Sequence, residues 1–243
     1  MSDLSPFLEL LLPKEYNKDM KKIINHGSDH AVTTPAWGLG NVHNDFGGGF
    51  YCTETLNMAK EWGVREGRNG YANKYYIELD DLSVLNLTEG YSTLEWLTIL
   101  LENRVFDDDT LLAKEAKEYL GKNFNLNYKD YDILIGYRAD DSYFSFASDF
   151  INGVIPYRVL CSAMKLGRLG EQFVLKSRRS FSAIEFLSIE EAKWHEWYPK
   201  KTFRLRAAQR DYFESEKNRR VKGDIYITEI LDKEIKRDDT RLR

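Results

Sequence analysis

Three of the chain's four histidines and six of its 16 glycines fall in one stretch, residues 26–53, HGSDHAVTTPAWGLGNVHNDFGGGFYCT. It opens on His26, Gly27 and Ser28 and closes on three consecutive glycines that run into Phe50 and Tyr51. An imidazole gives or takes a hydrogen bond, a glycine lets backbone approach a ligand, and a tyrosine ring offers a stacking face. The same residues suit a glycine-rich turn between two strands, with positive φ and no ligand. On these residues alone both readings stand.

Other site chemistries find no footing. His26 and His30 are four apart, but Gly27 and Ser28 between them argue against a helix that would align them. There is no H-E-x-x-H and no Cys–His zinc spacing, so no metal is expected. GLGNVH lacks the third glycine of a dinucleotide fingerprint, and neither a Walker loop nor a G-x-S-x-G elbow occurs. Cys52 and Cys161 make no C-x-x-C pair and read as small buried hydrophobes in a reducing compartment.

The elements that must position these residues follow from periodicity. KKIINHGS (21–28) predicts a strand ending in a turn, and GGFYCT (48–53) a second strand after a glycine hinge. TETLNMAKEWGV (53–64) predicts a helix with Thr53 as N-cap. KYYIELD (74–80) alternates as a strand with one wet face. Ser92 and Glu95 form a capping box ahead of a Leu94, Leu97, Leu101 stripe. Residues 108–122 predict a helix stopped near Gly121, and 131–137 a buried strand. The stretch 141–166 reads as two helical pieces broken at Gly153 and Pro156, and 172–177 as a strand. Ser188 to Glu191 reads as a cap for a helix through Tyr198. Strands mixed irregularly with helices predict an α+β fold, with one domain over 1–190 and a charged, mainly helical extension over 191–243.

With 42% hydrophobic and 30% charged residues in 243, the chain belongs with globular proteins and can bury a sizeable core. Its net charge of −4 makes no global case for nucleic acid. Residues 200–222 differ: nine Lys or Arg against three acids give +6, with Phe203, Tyr212 and Phe213 among them. Such a run is ordinarily a solvated helix face, but basic residues beside aromatics also suit single-stranded RNA. Arg204, Arg206 and Arg210 are its candidate acceptor-binding residues. The first 16 residues carry no basic segment and no cleavage site of a signal peptide, and no apolar run spans a membrane, so a cytoplasmic location is expected.

The order His-Gly-Ser, strand, glycines, Phe-Tyr, helix with Trp62 resembles the core of the histidine–tyrosine–glutamate ADP-ribosyltransferases, the group of diphtheria toxin and the poly-ADP-ribose polymerases. More closely, the chain looks like a bacterial family of unnamed function related to that group, with motifs H-G-S, D-F-G-x-G-F-Y, A-[ND]-D and Q-[YF]-V. Here HGS (26–28), DFGGGFYCT (45–53), ADD (139–141) and QFV (172–174) stand in that order, and the resemblance covers roughly residues 20–190. It implies an ADP-ribosyltransferase-like split β-sheet core and NAD as ADP-ribose donor. His26 would hydrogen-bond the adenosine ribose, Gly27 would offer backbone to the nicotinamide amide with Ser28 nearby, and Tyr51 and Trp62 would sandwich the nicotinamide ring. Ala59 stands where the polymerases tend to have an amide-binding serine. Gln172 falls at the glutamate of the group; an amide can bond the ribose but carries no charge and is no base. Glu171 beside it, or Asp140 or Asp141, are the candidate replacement carboxylates. The resemblance implies single transfer of ADP-ribose to a macromolecular acceptor by a bacterial toxin, with an antitoxin partner or a role in phage defence. NAD hydrolysis, or a module that binds NAD or a partner without chemistry, are the alternatives.

Overall fold

The computed structural model describes residues 21–106, 109–139, 141–164, 170–216 and 221–242, with backbone alone for 141–144, 215 and 216. Asp140 and the first 20 residues, together with the signal-peptide reading of them, lie outside the described residues. No helix among those described is long and apolar enough to cross a membrane.

The fold is mixed α+β, with two sheets and eight α-helices among the described residues. The first sheet has the order β1-β3-β7, from β1 (Lys21–Ser28), β3 (Gly70–Glu78) and β7 (Ile184–Ala192), all antiparallel. The second has the order β2-β6-β5-β4, from β2 (Phe50–Cys52), β4 (Val84–Asn86), β5 (Ile133–Tyr137) and β6 (Glu171–Leu175), with β4 parallel to β5. The sheets are tied by a bridge between Asn25 and Thr53. The Asn25 N–H donates to Thr53 O at 2.8 Å and the Thr53 N–H to Asn25 O at 2.9 Å. Beyond it His26 and Gly27 of β1 and Tyr51 of β2 line a cleft.

One face of β3 is buried, with Tyr75, Ile77 and, just past the strand, Leu79 packed against Ile24, Cys52, Ile135, Phe173 and Leu175 of both sheets. The larger core lies on the far side of the second sheet. There Leu94, Leu97 and Leu101 of α2 (Thr93–Asn103) pack with α3 (Leu111–Asn123), α4 (Asp141–Ile151) and α5 (Tyr157–Ala163). The expected box closes α2, with the Ser92 N–H donating to the Glu95 carboxylate at 2.6 Å.

Three local readings are corrected. The helix α1 (Leu56–Gly63) takes Thr55 rather than Thr53 as N-cap, because Thr53 is committed to the tie with Asn25. The helix α3 runs through Gly121, where nothing crowds the backbone and only the propensity cost applies. Ser188 and Glu191 do not cap a helix. Both lie in β7, opposite Lys74 and Tyr71, because the edge of β3 offers a full ladder to this stretch. The helix α7 (Trp194–Glu216) starts after it and packs on α1 and α5. The boundary read at residue 190 therefore falls inside β7. The short α6 (Arg178–Ser182) and α8 (Ile227–Asp232) complete the α-helices among the described residues.

Candidate functional site

The glycine stretch between β1 and β2 is held as a fixed loop. The Lys176 ammonium donates to Phe46 O and Gly48 O, each at 2.5 Å. The Tyr51 hydroxyl donates to Gly47 O at 2.6 Å and accepts from the Phe46 N–H at 3.0 Å. Gly47 sits at φ +75, and a Cβ on Gly49 would lie 2.8 Å from Val174 Cγ1. The glycines thus serve both a left-handed turn and a close approach to β6. Burial lowers the pKa of Lys176 to about 8 and raises that of Tyr51.

This loop walls a cleft of about 380 Å³, within the range of small-molecule sites. His26, Gly27, Tyr51, Trp62 and Gln172 all line it, from β1, β2, α1 and β6. The His26 Nδ1–H donates to Tyr51 O at 2.7 Å, which leaves Nε2 as the ring's acceptor. Desolvation lowers the pKa of His26, so the neutral form with that acceptor is favoured. The Trp62 ring carries the Arg138 guanidinium 4.5 Å from its centroid, while its Nε1–H is buried without a hydrogen-bond partner among the described residues. Gly27 has a structural duty besides: a Cβ there would lie 2.0 Å from Ala59 O and 2.8 Å from Trp62 Cβ. The bare backbone of Gly27 lets α1 seat Trp62 at the cleft, and Ala59 is fully buried in that contact.

Ser28 does not line the cleft. Its hydroxyl donates to His30 O at 2.6 Å and accepts from Asn73 Nδ2 at 2.9 Å. Glu171 is exposed, on the opposite side of β6 from Gln172, and is likewise outside the cleft lining. Partial desolvation at its strand, and then the charges of Glu54 and Glu89, raise its pKa, although the residue as a whole is exposed. Asp141 begins α4, and its side chain lies outside the described residues, as does Asp140.

Sequence reasoning missed the cleft's charged lining. Asp45 is 5% exposed and Gln172 4%, and Gln172 Nε2–H donates to Asp45 Oδ2 at 2.6 Å. The Ala139 N–H donates to the same oxygen at 2.9 Å, and Arg104 Nη1 lies 3.6 Å from Oδ1. Burial nevertheless raises the pKa of Asp45. Glu61 of α1 is buried against Arg204 of α7 through two charge-assisted bonds. Arg138 and Lys201 add positive charge to the lining. Asp45 stood in the D-F-G motif; Glu61, Arg104 and Arg138 had no spacing signal, since separate elements bring them in.

The basic stretch divides. Arg204 turns inward to Glu61, whereas Arg206 and Arg210 are exposed, with Arg210 beside Asp211 at 3.6 Å. Tyr212 is not a surface ring: it stacks on Phe146 at 3.8 Å and its hydroxyl donates to Asp149 at 2.9 Å. Phe203 and Phe213 are exposed. Lys217, Arg219 and Arg220 lie outside the described residues. Among the described residues no His, Cys, Asp or Glu cluster could hold a metal ion.

A family model described as a protein of unknown function (DUF3990) matches residues 22–186. That span runs from the second residue of β1 through α6 into β7, and holds every cleft residue except Lys201, Arg204 and Leu205 of α7. No curated protein and no solved structure matches the chain.

Proposed function

The chain belongs to the DUF3990 family, and for this member of it we propose an NAD-dependent transferase that moves one ADP-ribose to a macromolecular acceptor on an ADP-ribosyltransferase-like core. The observation that carries the reading is convergence. His26 and Gly27 of β1, Tyr51 of β2, Trp62 of α1 and Gln172 of β6 come from four separate elements, yet all line one cleft.

The chemistry of the lining fits the ligand. His26 Nε2 accepts from a ribose hydroxyl. The buried Trp62 Nε1–H seeks an acceptor, and its ring already carries a planar cation, Arg138. The positively charged nicotinamide ring is another planar cation suited to an indole face. Arg104, Arg138, Lys201 and Arg204 outnumber Asp45 and Glu61 around the cleft, as a dianionic diphosphate requires.

In the reaction the bond from ribose C1′ to the nicotinamide nitrogen breaks, and its electron pair leaves with neutral nicotinamide. Positive charge gathers on the ribose. An acceptor oxygen or nitrogen forms the new bond to C1′ and gives its proton to water. The residues lower the barrier by holding the ribose in line and by opposing its charge. We take RNA as the first acceptor to test, from the exposed Arg206, Arg210, Phe203 and Phe213 of α7.

The test is labelled NAD incubated with the full chain and a cell lysate, followed by separate nuclease and protease digests. Label on a macromolecule, absent with Tyr51→Ala or His26→Ala, supports transfer. Nicotinamide released without any acceptor moves the reading to hydrolysis. Bound NAD left intact makes the chain a binding module. No NAD binding removes the reading altogether.

A further inference from the structure

Within this reading of the cleft, on which the inference rests, we infer that Asp45 and Gln172 work as one unit: the carboxylate of Asp45 orients and polarises the Gln172 amide, and the pair gives the ribose the negative potential that neither the amide alone nor Glu171 can give. Asp45 is thus a positioning residue acting through Gln172, and Gln172 is the group that touches the substrate.

The hydrogen bonds fix the direction. An ionised carboxylate only accepts, so the amide nitrogen of Gln172 must face Asp45, as it does at 2.6 Å. Its Oε1, at the other end of the planar amide, is thereby left to act as an acceptor. An N–H bonded to an anion leaves its carbonyl richer in electron density, more so away from water. Both side chains are almost fully buried yet line the cleft. The carboxylate is also rigidly held. The Ala139 N–H fixes one oxygen, Arg104 lies beside the other, and the loop that carries Asp45 is bound by Lys176 and the Tyr51 hydroxyl. A group so fixed pays little reorganisation as charge develops.

During transfer neither residue changes its bonds. The C1′–nitrogen pair leaves with nicotinamide, the acceptor's lone pair replaces it, and the acceptor's proton goes to water. The Gln172 amide accepts from a ribose hydroxyl throughout, and Asp45 holds it there.

The experiment uses the full chain, with NAD affinity by calorimetry and nicotinamide release at saturating NAD. Asp45→Asn should lower the saturated rate about ten- to a hundred-fold with affinity held within about threefold. The exchange Asp45→Asn with Gln172→Glu, which moves the carboxylate onto residue 172, should recover most of that loss. Gln172→Met leaves Asp45 its bonds to Ala139 and Arg104 but deletes Oε1, and should show the same rate loss even if Asp45→Asn does not fold. A parent-like rate in Asp45→Asn or Gln172→Met overturns the inference. So does a joint loss of rate, affinity and melting temperature that the exchange does not recover, since Asp45 would then be structural. If the parent neither binds nor turns over NAD, the reading of the cleft fails and the inference falls with it; a parent active on NAD beside an unaffected Asp45→Asn removes the inference alone.

Discussion

Arg204 grips the buried carboxylate of Glu61 through both Nε, at 3.0 Å, and Nη2, at 2.9 Å. The pair joins α7, which lies outside the family-matched span, to α1, which carries Trp62. The helix α7 is therefore a wall of the cleft, which it lines with Lys201, Arg204 and Leu205. Arg204→Ala leaves Glu61 buried and uncompensated, and removing one partner of such a pair costs about 3 kcal/mol. Urea unfolding of Arg204→Ala should show that loss, while Arg206→Ala should stay within about 0.5 kcal/mol of the parent. Equal midpoints for the two variants would mean that the pair does not hold α7 to α1.

Gly27 is fixed by packing as much as by any ligand. A Cβ placed 2.0 Å from Ala59 O forces α1 outward. Gly27→Ala should cost about 3 kcal/mol in stability, the upper part of the range for overpacking. Because Trp62 moves with α1, its fluorescence maximum should also shift. An unchanged melting temperature and spectrum would show that the approach relaxes without cost.

The two parts of Tyr51 separate cleanly. Its hydroxyl ties the loop through Gly47 O and the Phe46 N–H, and its ring faces the cleft. Tyr51→Phe should cost about 1–2 kcal/mol for the groups left unpaired while keeping NAD affinity. Tyr51→Ala should lose both. If Tyr51→Phe abolishes NAD binding at full stability, the hydroxyl and not the ring is what the ligand needs.

Much of this site was legible because its parts sit in motifs. His26, Gly27 and Tyr51 stand within one glycine-rich stretch, and period-two alternation put Gln172 and Glu171 on opposite faces of β6. The charged lining was not legible, because Glu61, Arg104, Arg138 and Arg204 meet only through tertiary packing. Asp45 was in plain view, but nothing in its spacing said that burial would pair it with Gln172, 127 residues away. The strand β7 shows the same limit for the fold. Ser188-x-x-Glu191 satisfies a helix-cap pattern, and only the open edge of β3 decides for a strand.

Arg206 and Arg210 carry the acceptor proposal once Arg204 is set aside. Both are exposed on α7, beside Phe203 and Phe213. Reversing the two to Glu should leave stability and nicotinamide release intact. RNA labelling should fall, and the parent's labelling should itself drop steeply between low and moderate salt. Label found on protein alone, unchanged by the double reversal, would leave this face without a role in acceptor choice.

Protonation of His26 provides the last prediction. The free imidazole takes up a proton near pH 6.5, whereas burial holds the folded group's pKa below that. The unfolded chain therefore binds more protons in the window below 6.5, and folding stability falls as pH drops through it. The loss levels off once the folded form is protonated as well, and above the window the group contributes its full stability. Protonation also converts Nε2 from acceptor to donor, so NAD affinity should weaken over the same range. His26→Gln keeps hydrogen-bonding capacity but cannot titrate. Its unfolding midpoint and NAD affinity should both lose this pH dependence, measured from pH about 8 down to about 5. A variant whose stability still falls with the parent's slope would place the titrating group elsewhere in the chain.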